Sequence, residues 1–463
     1  MDPTTERISE TGSWWLSDDR DSRLFGTVTY GPSAGLELEL VGALFPTENT
    51  PQFQKSLCVW GTTVRNKEVS LLNAHITSIR THIPGTPVTK VSAYEGVIGG
   101  FYRSLEDVVI HTVDVEFDYL AAWTAESGIT EKHNPERRGS VISVEPALPI
   151  HLGNANGIDI TIEPYVSQTH SRNGIVLRDS AQLRLRSPDS RPYQDFQLLI
   201  GSFTRLLTLA VGEPAPPTRT VGSTSEKAHE VEGKPIWREV EIIRQRTKVA
   251  PKDIFADEML FTLRDLREHS EMNLHSFLHA ETKLRPVLDL LLLDYFHPQL
   301  PIPQEFLNFV NALEGLHYLT IGGQYLEDEE YRSLVEPRLR AALPPDLPDE
   351  FRQSLEVRLK TLHRFTLRKR LRDILHKFEA IIAPYVGDIS RFVDSVITLR
   401  NALLHSAKQP MPSYGELWKV SQILALILEA AVLVEFGFSA NRVRGIVARG
   451  KKARRIQTSF VAA

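Results

Sequence analysis

The chain has 463 residues, 42% of them hydrophobic and 24% charged, enough apolar material for two or three domains with real cores. A formal net charge of -5 and an isoelectric point near 6.3 exclude a globally basic nucleic-acid coat, so any polyanion site has to be a local patch. The single cysteine, Cys58, excludes an internal disulfide and a cysteine zinc site, and this composition suits a reducing cytoplasm.

The first residues, MDPTTERISETGSWW, place acids where a secretory signal needs a basic segment before an apolar one, so a cytoplasmic location is expected. Turn residues then recur at short intervals. Between them lie β-branched, alternating stretches: GTVTY, LELELVG, EVSLLNAHI, VVIHTVDVEF, IDITIEPYV and AQLRLRS. These predict strands. Trp14 and Trp15 read as closing a core edge beside the first of them, rather than lining a binding surface. FQLLIGSFTRLLTLA predicts a helix, the Pro-, Ser- and Thr-rich EPAPPTRTVGSTSEKAHEVEGKP a long loop, and WREVEIIRQRTKV and MLFTLRDL two further strands.

From about Met272 the apolar period becomes that of a helix, in LHSFLHAETKLRPVLDLLLLDYF, EFLNFVNALEGLHYL and RKRLRDILHKFEAII. ALPPDLPDEF splits two helices, and HSAKQPMPSYGELWK separates the last two. ILALILEAAVLVEFGF, from Ile423, carries Glu429 and Glu435 and falls short of an uninterrupted apolar span of about 20 residues. A buried bundle helix is expected there, with no membrane contact. The predicted class is α+β, with a β-rich domain over 1–265, a connecting helix over 266–300, a helical bundle over 301–450 and a basic tail over 451–463.

Within the apolar stretch DSVITLRNALLHSAKQP, the segment RNALLH introduces Arg400, Asn401 and His405. At 100° per residue Asn401 and His405 share a helix face, and the long arginine stem can reach it. A histidine near neutral pKa moves protons, an arginine holds charge developing on phosphorus, and an asparagine fixes geometry. Together these are the parts needed to cut RNA without a metal. The spacing alone is weak, since it recurs at Arg264–His269 and Arg358–His363. RDLREH reads as an exposed turn of chain, and RLKTLH as the start of a solvated or polyanion-facing stripe. Only RNALLH sets its polar residues in an otherwise apolar helix, where an ordinary capped helix end is the bland alternative.

The C-terminal half resembles a HEPN domain, a helical-bundle family whose ribonuclease members carry R-[N/D/H]-x-x-x-H, and RNALLH has that form in full. EFLNFVNALEGLHYL resembles the "ALE" helix of the ApeA-like branch. TGSWWLSDDRDSRLFGTVTYGPSAGLELELVG resembles that branch's G-x-W-W entry and its two following strands, with Val28 where leucine is usual. VWGTTVRNKEVSLLNAHI resembles its V-T-L element, with Ser70 in place of threonine.

The resemblance implies an anti-phage protein with an N-terminal β-rich sensing or regulatory domain and a C-terminal HEPN-type bundle, acting by abortive infection in response to a phage-derived trigger. It implies a metal-independent endoribonuclease with no cofactor, cutting RNA such as tRNA to 2′,3′-cyclic phosphate ends at a site shared across a homodimer or higher even oligomer. Arg400, Asn401 and His405 are the expected catalytic residues. A non-catalytic HEPN module that binds RNA, a nucleotide or a protein is the alternative.

Glu314 lies on the inner stripe of its predicted helix, one turn before His317, with two readings open: a carboxylate orienting Arg400 or His405, or a structural ion pair within the bundle. His317 reads as a core or surface imidazole. Two basic clusters supply candidate RNA contacts: Arg364, Arg368, Lys369, Arg370 and Arg372 in the first, Lys451, Lys452, Arg454 and Arg455 in the second. A solvated helix face and an unstructured tail are the alternatives for the second.

Overall fold

A computed structural model describes residues 8–31, 35–45, 56–81, 84–134, 139–145, 147–172, 174–231, 233–244, 252–269, 274–404 and 412–461. The chain folds as two compact units, the first of residues 1–264 with 273–275 and the second of residues 265–272 with 276–463.

In the first unit, strands β1 (Ile8–Leu16), β2 (Asp19–Gly31), β3 (Gly35–Val41), β4 (Leu57–Thr63), β5 (Glu68–Arg80) and β6 (Val88–Ile98) pair antiparallel in the closed ring β1-β2-β3-β6-β5-β4. Closure leaves no free edge in the ring, and the alternation of β3 shows how the sequence specifies it: Leu36, Leu38 and Leu40 point into the lumen while Glu37 and Glu39 face out. Trp14 fills the lumen with Val28, Val59, Leu71 and Val91, its indole N–H donating to the Gly26 carbonyl at 3.1 Å. Gly61 provides the room, because a Cβ there would lie 2.2 Å from Trp14 Cε3. Its neighbour Trp15 is buried outside the lumen, against Phe101 and beneath Arg23.

Where β3 ends, β6 continues its hydrogen bonding onto β14 and opens the barrel into a broad antiparallel sheet. That extension comprises β7 (Val109–Phe117), β10 (Ile150–Ala155), β11 (Ile158–Ser171), β12 (Gly174–Pro192), β13 (Pro217–Val231) and β14 (Lys234–Arg244), in the order β14-β13-β7-β12-β11-β10, with β8 (Ile129–Asn134) and β9 (Gly139–Val144) forming a separate ribbon. Helix α1 (Leu120–Thr124) is short, and α2 (Tyr193–Val211) buries Phe196, Phe203 and Leu207.

Two expectations fail in this unit. EPAPPTRTVGSTSEKAHEVEGKP is mostly β13, not a loop, because Thr220, Gly222 and Thr224 alternate inward and β7 and β14 satisfy the backbone on both sides. MLFTLRDL is not a strand: Met259 and Phe261 anchor an irregular segment, and helix α3 begins at Leu263 (Leu263–His269).

The second unit comprises helices α4 (Leu274–Phe296), α5 (Ile302–Thr320), α6 (Asp328–Glu330), α7 (Glu336–Ala341), α8 (Asp349–Leu359), α9 (Leu367–Lys377), α10 (Glu379–Val386), α11 (Ile389–Leu404), α12 (Tyr414–Glu435), α13 (Ala440–Arg449) and α14 (Lys451–Val461). Helices α5 and α12 form its central pair; α9 packs on α5 and on α11. Helix α12 is long and apolar enough to cross a membrane, yet 83% of its apolar window is buried. It is the core helix of this unit.

The predicted connector α4 is instead a full member of this core, with Phe277 edge-on to Phe436 at 4.7 Å and Val287 beside Gly315. The predicted basic tail is likewise a docked helix, α14, which buries Ala453 and Ile456.

Candidate active site

Helix α11 begins where the Asp388 carboxylate accepts from the backbone N–H of Arg391 at 2.7 Å. Phe392, Val393, Val396, Leu399 and Ala402 then recur at helical spacing and are buried. At 100° per residue Arg400 projects between Val393 and Val396, so the guanidinium extends the buried stripe toward the end of the helix. Its side chain is half-buried, and among the described residues it forms no ion pair. This distinguishes it from Arg368 of α9, which is similarly half-buried but pairs with Asp394. Asn401, also half-buried, projects about 100° further round. His405 lies outside the described residues, which stop at Leu404 on this side.

Glu314, on the flank of α5, places Oε1 3.8 Å from Nε of Arg370. That arginine is buried and also donates to the carbonyls of Phe365 and Gly323, at 3.2 and 3.3 Å. Of the two readings of Glu314, the geometry supplies the intrabundle ion pair. His317 is fully buried, with Nε2 3.1 Å from Asp373 Oδ2. Burial pushes the Asp373 carboxyl up, but hydrogen bonds from Lys369 and His317 outweigh it and hold the carboxyl below its usual range.

The basic residues divide by what they touch. Arg364 and Arg372 are exposed and form no ion pair among the described residues. Arg368 pairs with Asp394 of α11, and Lys369 with Asp373 at 2.6 Å. Two expected phosphate contacts are corrected. Arg370 is spent on backbone carbonyls inside the bundle, and Lys452 is turned inward onto Glu429 at 2.6 Å, with its side chain only 12% exposed. Lys451, Arg454 and Arg455 remain on the exposed side of α14.

Of the other two R-x4-H spacings, RLKTLH ends in a histidine with a structural role. His363 is buried, stacked on Tyr331 and 2.6 Å from Asp328, so RLKTLH ends inside the fold rather than on a solvated stripe. RDLREH is helical rather than a turn; Arg264 donates to the Ala125 carbonyl, and the His269 side chain lies outside the described residues. Sequence reasoning missed Asp373 and Asp394, the acids that fix α9 against α5 and α11. Only the Lys369–Asp373 pair, four residues apart on one helix, carries a local signal. Among the described residues no group of three or more His, Cys, Asp or Glu side chains is arranged to hold a metal ion.

A β-rich unit followed by a helical bundle, with Arg400 and Asn401 near the end of α11, fits a HEPN-class protein. Residues 9–276 match the ApeA N-terminal domain 1 and residues 307–442 the Apea-like HEPN domain, so the chain belongs to the ApeA-like HEPN family. No curated protein and no solved structure matches it.

Proposed function

We propose that the chain is a metal-independent endoribonuclease of the HEPN type that acts in anti-phage defence by abortive infection, in the cytoplasm. The observation that carries this reading is Arg400: a half-buried guanidinium without an acid among the described residues, within the segment that matches the Apea-like HEPN domain. In the proposed reaction one His405 takes the proton from a ribose 2′-hydroxyl, whose oxygen attacks the adjacent phosphorus. The 5′-oxygen leaves and takes a proton from the His405 of a second copy, giving a 2′,3′-cyclic phosphate and a 5′-hydroxyl end. The guanidinium holds the added charge on phosphorus, and Asn401 fixes the geometry by hydrogen bonding. One histidine per chain supplies a base or an acid, so an even oligomer supplies both.

An enzyme that cuts its host's RNA has to be held inactive until infection. The β-rich unit, whose scattered carboxylates suggest no catalytic pair, is assigned that control in response to a phage-derived trigger. The test is to express the wild type and His405→Ala during infection and sequence RNA ends. Discrete new termini, for instance in tRNA loops, that disappear in the variant support the reading. Full cleavage and protection by the variant reject it in favour of a non-catalytic HEPN module. Chelation with EDTA leaves cleavage intact on this mechanism.

A further inference from the structure

Where the chain between α5 and α9 meets the two helices, exposed aromatic side chains gather that the motif does not use. Gly323 to Tyr325 and His363 to Phe365 run side by side, tied by Tyr325 N–H to the His363 carbonyl at 2.7 Å and Phe365 N–H to the Gly323 carbonyl at 2.9 Å. Phe365 is the hub. Tyr325 meets it edge-on at 4.5 Å, buried His317 meets it edge-on at 5.6 Å, and the Lys369 ammonium sits 5.4 Å from its centroid. Tyr318, at the end of α5, lies against Gly323, where a Cβ would come within 2.7 Å of its ring. Both tyrosines are thus backed by fixed structure, yet they are 64% and 59% exposed. Arg364 stands opposite Gln324 on the same short ladder.

We propose that Tyr318 and Tyr325 stack unpaired bases of a single-stranded RNA while Arg364 takes a flanking phosphate. The inference rests on the nuclease reading and adds to it the place where the substrate strand lies. Charge selects RNA over an apolar protein partner. Arg364 and Arg372 form no ion pair among the described residues; of the acids that follow Tyr325, Asp328 is held by His363 and Glu327 accepts from the Gln324 amide, while Glu329 and Glu330 are exposed. Aromatic rings held in place lose little freedom on binding, and they suit splayed bases rather than the closed stack of a duplex. Location agrees. Arg368 in the first turn of α9 pairs with Asp394, which lies six residues before Arg400 on α11, or about 9 Å along the helix axis.

The test measures binding of a short fluorescent single-stranded RNA by anisotropy, in the full-length His405→Ala protein so that cleavage does not interfere. Replacing both tyrosines by leucine, which keeps bulk and removes the aromatic face, is expected to weaken binding about tenfold or more; replacing both by phenylalanine leaves it unchanged. Arg364→Gln is expected to lower the slope of log affinity against log salt by about 0.7. Unchanged affinity in the leucine pair overturns the proposal, as does equal competition by duplex RNA. A leucine pair that changes oligomeric mass by light scattering also overturns it, assigning the patch to a contact between copies. Persistence of cleavage in His405→Ala removes the nuclease reading separately, because these binding measurements require no cleavage.

Discussion

Lys452 Nζ lies 2.6 Å from Glu429 Oε1, and the two side chains are only 12% and 8% exposed. The pair joins α14 to the core helix α12 and forms part of a wider cluster, with the ammonium 5.1 Å from the Tyr295 ring and within electrostatic reach of Asp294. Burial alone would lower the lysine pKa; Glu429, Tyr295 and Asp294 outweigh it and keep the ammonium charged. Removing one member leaves a buried charge uncompensated, a loss of roughly 3–5 kcal/mol. Lys452→Met is therefore expected to lower the urea midpoint sharply, and Lys452→Met with Glu429→Leu to recover most of the loss. A single variant as stable as the parent would show that the ion pair does not hold α14.

The same cluster gives the protein a stability slope on the acid side of neutrality. Burial, then the nearby Asp294 carboxyl, raise Glu305 from 4.5 to about 7, against the smaller opposing effect of Lys452. A carboxyl raised in the folded state binds a proton there that the unfolded chain has released, so stability falls as pH rises from about 4.5 to about 7 and is level above. Glu305→Gln keeps an acceptor for the Gln422 amide, which donates to Glu305 Oε1 at 3.3 Å, and removes the ionisation. The variant is expected to melt about 2–4 °C higher than the parent at pH 8, with the difference vanishing near pH 4.5. Identical melting profiles across that window would refute the assignment.

These two effects mark the boundary of what the sequence discloses. The β-rich half was legible because alternation such as Leu36-Glu37-Leu38-Glu39 specifies which face is buried, and the bundle because its apolar spacing changes at about Met272. Closure of the barrel depends on the β1–β4 and β3–β6 pairings, between strands that are not consecutive in the chain, which no local pattern announces. β13 was hidden because Thr and Gly replace the usual apolar residues on its inner face, with strands on both sides supplying the stabilisation. Of the candidate site, the motif was readable as a string. The inward turn of Lys452 and Arg370 was not, since a basic run looks alike whether its acids are near in sequence or, as with Glu429, on another helix.

The barrel lumen offers a separate check. A Cβ at Gly61 would approach Trp14 Cε3 to 2.2 Å, and the indole cannot retreat without losing its bond to the Gly26 carbonyl. Gly61→Ala is expected to cost about 1–3 kcal/mol or more, visible as loss of near-ultraviolet dichroism from the buried tryptophan at a lower temperature. Gly415→Ala, where an added Cβ meets nothing within 4 Å, serves as the control. Equal melting of the two variants would mean that Trp14 does not fill the lumen.

Arg400 is the sharpest test, because its two roles predict opposite outcomes. A structural arginine holds its surroundings through an acid or a carbonyl, and its replacement by leucine destabilises. The geometry here differs: the guanidinium continues the buried stripe of Val393, Val396 and Leu399, half-buried, with no acid among the described residues. Leucine at that position extends an apolar face already present, so Arg400→Leu is expected to leave the melting temperature unchanged or raise it. Loss of the cation that meets charge developing on phosphorus is expected to slow RNA cleavage by about 10²–10³-fold. Arg400→Lys, which keeps the charge without the planar fork, is expected to fall between the two in rate. Melting and cleavage should therefore move in different directions, as they do where a chain retains a destabilising group for chemistry. A drop in melting temperature with cleavage preserved would place Arg400 in the framework and leave the proposed reaction without its stabilising charge.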